Sequence, residues 1–207
     1  NKLIQIKKNN KEIQLSVITS RRTSDLVKNI LTEKPMALNY KDSNNMVNLF
    51  RKKNLNLYVL MQIRFNPNIL KIKKMLDRGI LGKIKLINMN VIWNRSQHYY
   101  NSEKWRGSKK MDGGIFLNQT SHYLDLIVYL FGLPKKINSF LTKTRKNIQV
   151  EDTGIVNMIF PNFATASFNV TMLNNFGNLE TSMTIIGTKG SIVIGGLNLD
   201  KITYFKS

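Results

Sequence analysis

Cysteine is absent from the chain. That removes disulfides, thiolate metal sites and cysteine nucleophiles in one step. No apolar run is long enough to span a bilayer, and the opening residues do not resemble a signal peptide, so the expectation is a cytoplasmic protein without a membrane partner. Glycine does not occur before Gly79. Any phosphate-binding loop built on closely spaced glycines is therefore excluded from the first 78 residues. Acidic residues are scarce, 12 against 32 Lys and Arg, which leaves a net charge of +20. The lysines are spread along the chain among asparagines and isoleucines, and no nucleic-acid-binding motif accompanies them. Nucleic acid is accordingly not expected as a partner, although a basic protein suits a substrate carrying a diphosphate.

What is present is enough for a packed core. Of 207 residues, 42% are hydrophobic, which fits one domain or one and a half. Residues 13–18 and 29–32 read as strands, with residues 20–28 leaving space for barely two helical turns between them. A helix is expected over residues 39–53, with Asp42 and Ser43 near its start. Residues 55–63 read as a strand buried on both faces, as in a parallel sheet. Pro67 then opens an amphipathic helix that stops at Gly79. Residues 83–94 form a strand, and residues 95–111 a long polar loop carrying Tyr99, Tyr100, Trp105 and Arg106. Loops this rich in aromatics are more often binding loops than spacers.

The organising stretch is residues 112–132, DGGIFLNQTSHYLDLIVYLFG. Leu124, Ile127, Val128 and Phe131 recur at helical spacing and predict one apolar stripe. Asn118, His122 and Asp125 lie four and three positions apart, which places them on another face of the same helix. Beyond it the chain turns β. Ala164, Ala166, Phe168, Val170 and Met172 alternate with polar residues, and residues 187–190 read as a hairpin turn between strands 183–186 and 191–194. Helices on one face of a largely antiparallel sheet make an α+β domain.

TEKPMAL at residues 32–38, followed by QIRFNP, SQHYYNSEKWRG, DGG, NQTSH, EDT and IIGTKGSIVIGG, resembles the Gfo/Idh/MocA family of nicotinamide-dependent sugar oxidoreductases. Within it the likeness is to the bacterial UDP-N-acetylglucosamine and UDP-N-acetylglucosaminuronate 3-dehydrogenases. The resemblance covers roughly residues 28 to 205 and rests on no single short motif. It implies an α/β remnant of a Rossmann domain over residues 1–63, followed by an α+β substrate and oligomerisation domain over residues 64–207 with a largely antiparallel open sheet. It also implies the G-x-G-x-x-G turn that this chain lacks. The chain therefore reads as the C-terminal part of a longer protein, with a damaged junction near residues 20–24.

The implied chemistry is oxidation of a sugar hydroxyl, the 3-hydroxyl of a UDP-linked N-acetylamino sugar used for surface polysaccharide. The cofactor is NAD or NADP, NAD being the first expectation. His122 would take the hydroxyl proton, since an imidazole titrates near neutrality. Lys34 would orient the hydroxyl or lower its pKa. Asn118, where many members have aspartate, would position the sugar, as in the 3-dehydrogenase branch. Tyr100 is a candidate substrate contact or a packing residue. Glu33, Lys34, Gln62, Trp105 and Arg106 are implied on the nicotinamide side of the cofactor, and no metal is expected. A homo-oligomer, dimer or tetramer, paired through the sheet is implied as well. Against this stands the reading of a non-catalytic oligomerisation or sugar-binding domain, which the missing glycine-rich loop favours for the chain as it stands. Binding of NAD would separate the two.

Overall fold

A computed structural model describes Ile4–Ile6 and Leu15–Val17 as backbone, and residues 29–207 in full. The short helix expected over residues 20–28 and the junction at residues 20–24 lie outside the described residues. The chain divides into two compact units, Asn1–Met61 and Gln62–Ser207.

The first unit holds a four-stranded sheet, β1 (Ile4–Ile6), β2 (Leu15–Val17), β3 (Asn29–Thr32) and β4 (Asn56–Val59), in that spatial order. β1 runs antiparallel to β2, and β2, β3 and β4 run parallel. Helix α1 (Tyr40–Lys52) starts where Asn39 accepts a hydrogen bond from the Asp42 N–H. β4 is shorter than the strand expected over residues 55–63, because its pairing with β3 ends at Thr32 opposite Val59. Its side chains alternate between exposed and half-buried instead of being buried on both faces. The Lys34–Pro35 peptide is cis.

The second unit is α+β. Seven strands lie in the order β11-β10-β9-β5-β8-β7-β6: β5 (Ile84–Ile92), β6 (Lys136–Thr142), β7 (Thr153–Ile159), β8 (Thr165–Thr171), β9 (Glu180–Gly187), β10 (Ser191–Gly195) and β11 (Lys201–Lys206). Only the β5–β8 pair is parallel. One face carries Ile87, Met89, Val91, Phe168, Met183 and Ile185, all fully buried. Helix α2 (Pro67–Asp77) packs Ile69, Ile72 and Met75 into the same core. Pro67 occupies the first turn, where its missing N–H costs nothing, and Asn66 caps the Asn68 N–H. The hairpin expected at residues 187–190 is present between β9 and β10. The opposite face of the sheet is polar at its centre: the Asn169 amide donates to Asn88 and Asn90, and Asn90 donates to Glu180.

The central helix differs from the sequence expectation. Residues Ile115–Gln119 form a π-turn, and α4 (Ser121–Phe131) begins only after Thr120 leaves helical geometry at φ −122° and ψ 14°. The Thr120 N–H and hydroxyl both donate to the Ile115 carbonyl, at 2.7 and 2.9 Å, which closes the wider i to i+5 turn. The break resets the helix phase. The buried stripe is Tyr123, Leu126, Ile127 and Leu130, while Leu124 and Phe131 are half-buried and Val128 is 36% exposed.

Candidate active site

The wide turn separates side chains that a continuous helix would stack. The carboxylate of Asp112, 3% exposed, accepts the Gly107 N–H on one oxygen and the Asn118 amide, at 2.8 Å, on the other. Asn118 is thereby tied to the loop before the helix. Asp125 is held elsewhere, in a two-pronged ion pair with Arg64 (2.7 Å from Nε, with a second contact from Nη2). That hydrogen-bonded carboxylate raises the Arg64 pKa. The expectation that Asn118, His122 and Asp125 share one helical face is therefore corrected: the π-turn divides Asn118 from the other two, and Asp125 serves as an ion-pair partner.

Gly114 makes the entry to this turn. Its φ of +83° suits only glycine, and a Cβ there would lie 2.1 Å from the Glu151 carboxylate. The second glycine of DGG thus lets Glu151 lie against the backbone that introduces the helix.

His122, 9% exposed, lines a cleft of about 360 Å³ together with Gln62, Ile63, Asn66, Trp93, Gln119, Tyr123 and Asn198. Gln62 comes from a 3-10 turn, Gln62–Phe65, directly before α2. Tyr123 and Trp93 meet edge to face at 5.8 Å and form the apolar wall. Trp93 donates to the Thr181 hydroxyl at 2.9 Å, and burial pushes the Tyr123 hydroxyl pKa up. Gln119 donates to the Tyr99 hydroxyl at 2.7 Å and accepts from Arg95 at 2.9 Å. One imidazole, four carboxamides and an aromatic wall therefore converge on one opening. Such a set can bind a polyhydroxylated ring and remove a proton from it.

Beside the cleft the loop after β5 carries an alternating stack. The Arg95 guanidinium lies 4.9 Å from the Trp93 ring and 5.4 Å from Tyr99, and Arg106 lies 4.0 Å from Tyr99 and 5.3 Å from Trp105. Tyr100 points the other way. It is 5% exposed, packs on Ile148 and Val150, and burial followed by the Asp112 charge pushes its hydroxyl pKa up to about 12.

Of the residues picked from the sequence, Gln62 and His122 share the cleft, and Trp105 and Arg106 share the stack. Asn118 sits on Asp112, and Tyr100 lies in the satellite core. Glu33 and Lys34 belong to the first unit, just after β3. His98 is exposed on the short helix α3 (Gln97–Asn101). Sequence reasoning passed over Gln119, Asp112 and Arg95. Gln119 and Asp112 lie inside motifs already in view, NQTSH and DGG. Among the described residues no group of three or more His, Asp or Glu side chains gathers to hold a metal, and no helix is long and apolar enough to cross a membrane.

The family model described as GFO/IDH/MocA C-terminal domain matches residues 69–193. The WlbA dehydrogenase of Bordetella pertussis, whose crystal structure holds NADH and UDP-GlcNAcA, is 37% identical, with a TM-score of 0.84 over 86% of this chain and 56% of that one. The WlbA dehydrogenase of Chromobacterium violaceum, with the same two ligands, is 39% identical, with a TM-score of 0.84 over 86% of this chain and 52% of that one. Among curated sequences, an uncharacterised oxidoreductase of Synechocystis is 26% identical over 83% of this chain and 49% of its own length. The chain spans about half the length of the curated relatives it matches.

Proposed function

This chain belongs to the GFO/IDH/MocA family, and from that premise we propose that it carries the substrate half of a nicotinamide-dependent dehydrogenase acting on a hydroxyl of a UDP-linked N-acetylamino sugar. The observation that carries the reading is His122, set at the wall of a polar and aromatic cleft with Gln62 and Gln119 around it. Similarity to two dehydrogenases crystallised with NADH and UDP-GlcNAcA supports the cofactor class and the sugar.

A dinucleotide suits these residues on one observation. The Nε–H of Arg106 is buried and has no hydrogen-bond partner among the described residues, so a phosphate or ribose oxygen would satisfy it. Gln62, Trp105 and Arg106 would hold the nicotinamide end, and Glu33 and Lys34 are assigned to it by their sequence context alone. Bound nicotinamide supplies the hydride acceptor. The chain supplies the rest. The His122 imidazole accepts the hydroxyl proton as the carbonyl forms. Lys34 is assigned to the oxygen losing that proton, and Asn118 to positioning the sugar ring, by their motifs alone, while the Trp93–Tyr123 wall limits water around His122. The 3-hydroxyl is the position we assign, and surface-polysaccharide precursor synthesis in the cytoplasm is the setting that fits such a product. On this reading the two units are the end of a dinucleotide-binding domain and the substrate domain.

Pairing of subunits through the free sheet face is part of the same proposal. Leu86, Phe140, Ile155 and Ile159 are exposed there at 40%, 64%, 42% and 40%, and they would supply the apolar surface of such a pairing.

The test is NADH formation by the full-length protein with a UDP-linked N-acetylamino sugar. His122→Asn and Lys34→Met should each lower kcat about a hundredfold or more with dinucleotide affinity nearly intact, and Asn118→Ala should raise KM more than it lowers kcat. Full turnover by the His122 variant would overturn the assignment.

A further inference from the structure

Two carboxylates are buried among the described residues, Asp112 and Asp152. Asp152 serves its own neighbourhood, accepting the N–H groups of Thr144 and Arg145 and the Thr144 hydroxyl. Asp112 is used differently. One of its oxygens accepts the Gly107 N–H, and the other accepts the side-chain amide of Asn118 at 2.8 Å. A desolvated carboxylate is tolerated where hydrogen bonds replace its water. One of the two replacements here is a residue assigned to the sugar.

The carboxylate is held firmly on its own side. The Asp112 N–H donates to the Ser108 carbonyl at 2.9 Å, so backbone and side chain both close the turn that starts at Gly107. Gln149 fastens that turn from outside, donating its N–H to the Gly107 carbonyl at 2.7 Å and accepting the Lys109 N–H at 3.0 Å. Gly107 has to be glycine, since φ is +72° and a Cβ would lie 2.8 Å from Ile148. Asn118 comes from the π-turn Ile115–Gln119, which Thr120 closes on Ile115. Two constrained turns therefore meet at this hydrogen bond. Gly107 directly follows Trp105 and Arg106, so the same carboxylate ties Asn118 to the loop assigned to the cofactor.

The bond also has a direction. A carboxylate only accepts, so the nitrogen of the Asn118 amide faces Asp112 and its carbonyl oxygen is turned away. A neutral amide at position 112 would allow either end of Asn118 to face it. A second carboxylate at position 118 would set two like charges at hydrogen-bond distance.

We propose that Asp112 is a positioning residue of the sugar site: its buried carboxylate fixes which end of the Asn118 amide faces the protein, and so restricts position 118 to an amide. The inference rests on the reading of Asn118 as a sugar contact, and it adds the group that orients that contact.

Calorimetric titration of the full-length protein with UDP-N-acetylglucosamine and with UDP tests it, because the ratio of the two affinities isolates the sugar. Asp112→Asn keeps the size of the side chain and removes the fixed direction. It should weaken UDP-N-acetylglucosamine about tenfold and UDP by less than about twofold. A residue that only stabilised the fold would lower both affinities, or the fraction of protein able to bind, and leave the ratio alone. An unchanged ratio refutes the role.

Melting curves test the same hydrogen bond without any sugar. In Asn118→Asp two carboxylates share one space, so one of them keeps its proton above the ordinary range of about 4. The folded state then binds the extra proton, and the melting temperature of this variant should fall by several degrees relative to wild type as pH rises from about 4 to 7. Tyr100, whose hydroxyl feels the Asp112 charge, stays neutral throughout that range, and Arg145 beside its ring stays charged. Adding Asp112→Asn should abolish the fall, since the introduced amide can accept from Gly107 and donate to the carboxylate at 118. A wild-type profile in Asn118→Asp, or a double variant no better than that single one, overturns the proposal. Wild type binding both nucleotides alike would sink the sugar reading alone, because the melting curves still decide whether Asp112 holds Asn118. A preference for the sugar nucleotide that survives Asp112→Asn would sink the positioning role alone.

Discussion

The two units of this chain follow the same rules of strand pairing and arrive at opposite degrees of burial. In the second unit one continuous core takes in two helices and both sides of the β5–β8 junction, with Ile69, Ile87, Phe168 and Met183 at 0% exposure. In the described part of the first unit only Ile30 is buried, and α1 buries nothing despite a well-formed N-cap. Parallel strands such as β2, β3 and β4 draw their stability from apolar cover on both faces. Hydrogen bonding and capping are thus what the described part of the first unit shows, whereas burial also supplies the driving force in the second.

A core truncation breaks this contrast most sharply. Phe168 is fully buried and meets Phe116 edge to face at 5.7 Å. Phe168→Ala should cost roughly 3–5 kcal/mol in chemical denaturation, and Ile30→Ala well under that. Equal losses at the two positions would mean that the first unit has apolar cover beyond its described residues.

Amide exchange sharpens it next. The amides of β5 and β8 should exchange through global unfolding, and those of β3 and β4 at least about a hundredfold faster through local opening. Uniform protection across both sheets would show one cooperative unit instead of two.

The smallest effect concerns the satellite core of Tyr100, Ile148 and Val150. Tyr100 has its pKa pushed up to about 12 from an ordinary value of 10.0, so the folded state holds the neutral phenol. Its contribution is complete below pH 10 and is lost as pH rises from there toward about 12, because the unfolded chain ionises first. Tyr100→Phe should therefore flatten the fall in melting temperature over that window by a few degrees, with little change at pH 7. An identical alkaline profile in wild type and variant would show that the hydroxyl is not desolvated.

Much of the fold was legible because it depends on short-range regularities. Alternation over residues 164–172 marked β8, the glycines at 187 and 190 marked the β9–β10 hairpin, and Pro67 marked the start of α2. The strand over residues 55–63 failed at its far end, since its length is set by a partner only four residues long. The central helix failed because spacing assumes a constant helical period. Thr120 breaks that period by returning both of its donors to Ile115. At the site, His122 and Gln62 were recognisable from their motifs, and the structure lines one cleft with both. The hold of Asp112 on Asn118 was not recognisable, because it lies in what surrounds the two.

By itself, then, the sequence determined β8, the β9–β10 hairpin and the start of α2, the absence of thiol chemistry and of a glycine-rich phosphate loop in the first 78 residues, and the family resemblance carried by NQTSH and its companions. These follow from local chemistry and one-dimensional spacing. The tertiary structure alone decided that Asn118 turns to Asp112, that Asp125 pairs with Arg64, and that the buried Nε–H groups of Arg106 and Arg145 have no hydrogen-bond partner among the described residues. Which partner a polar side chain finds, or fails to find, depends on groups far away in sequence. The separations here are 61 residues from Arg64 to Asp125 and 20 from Tyr99 to Gln119, and only folding brings such groups within hydrogen-bond distance.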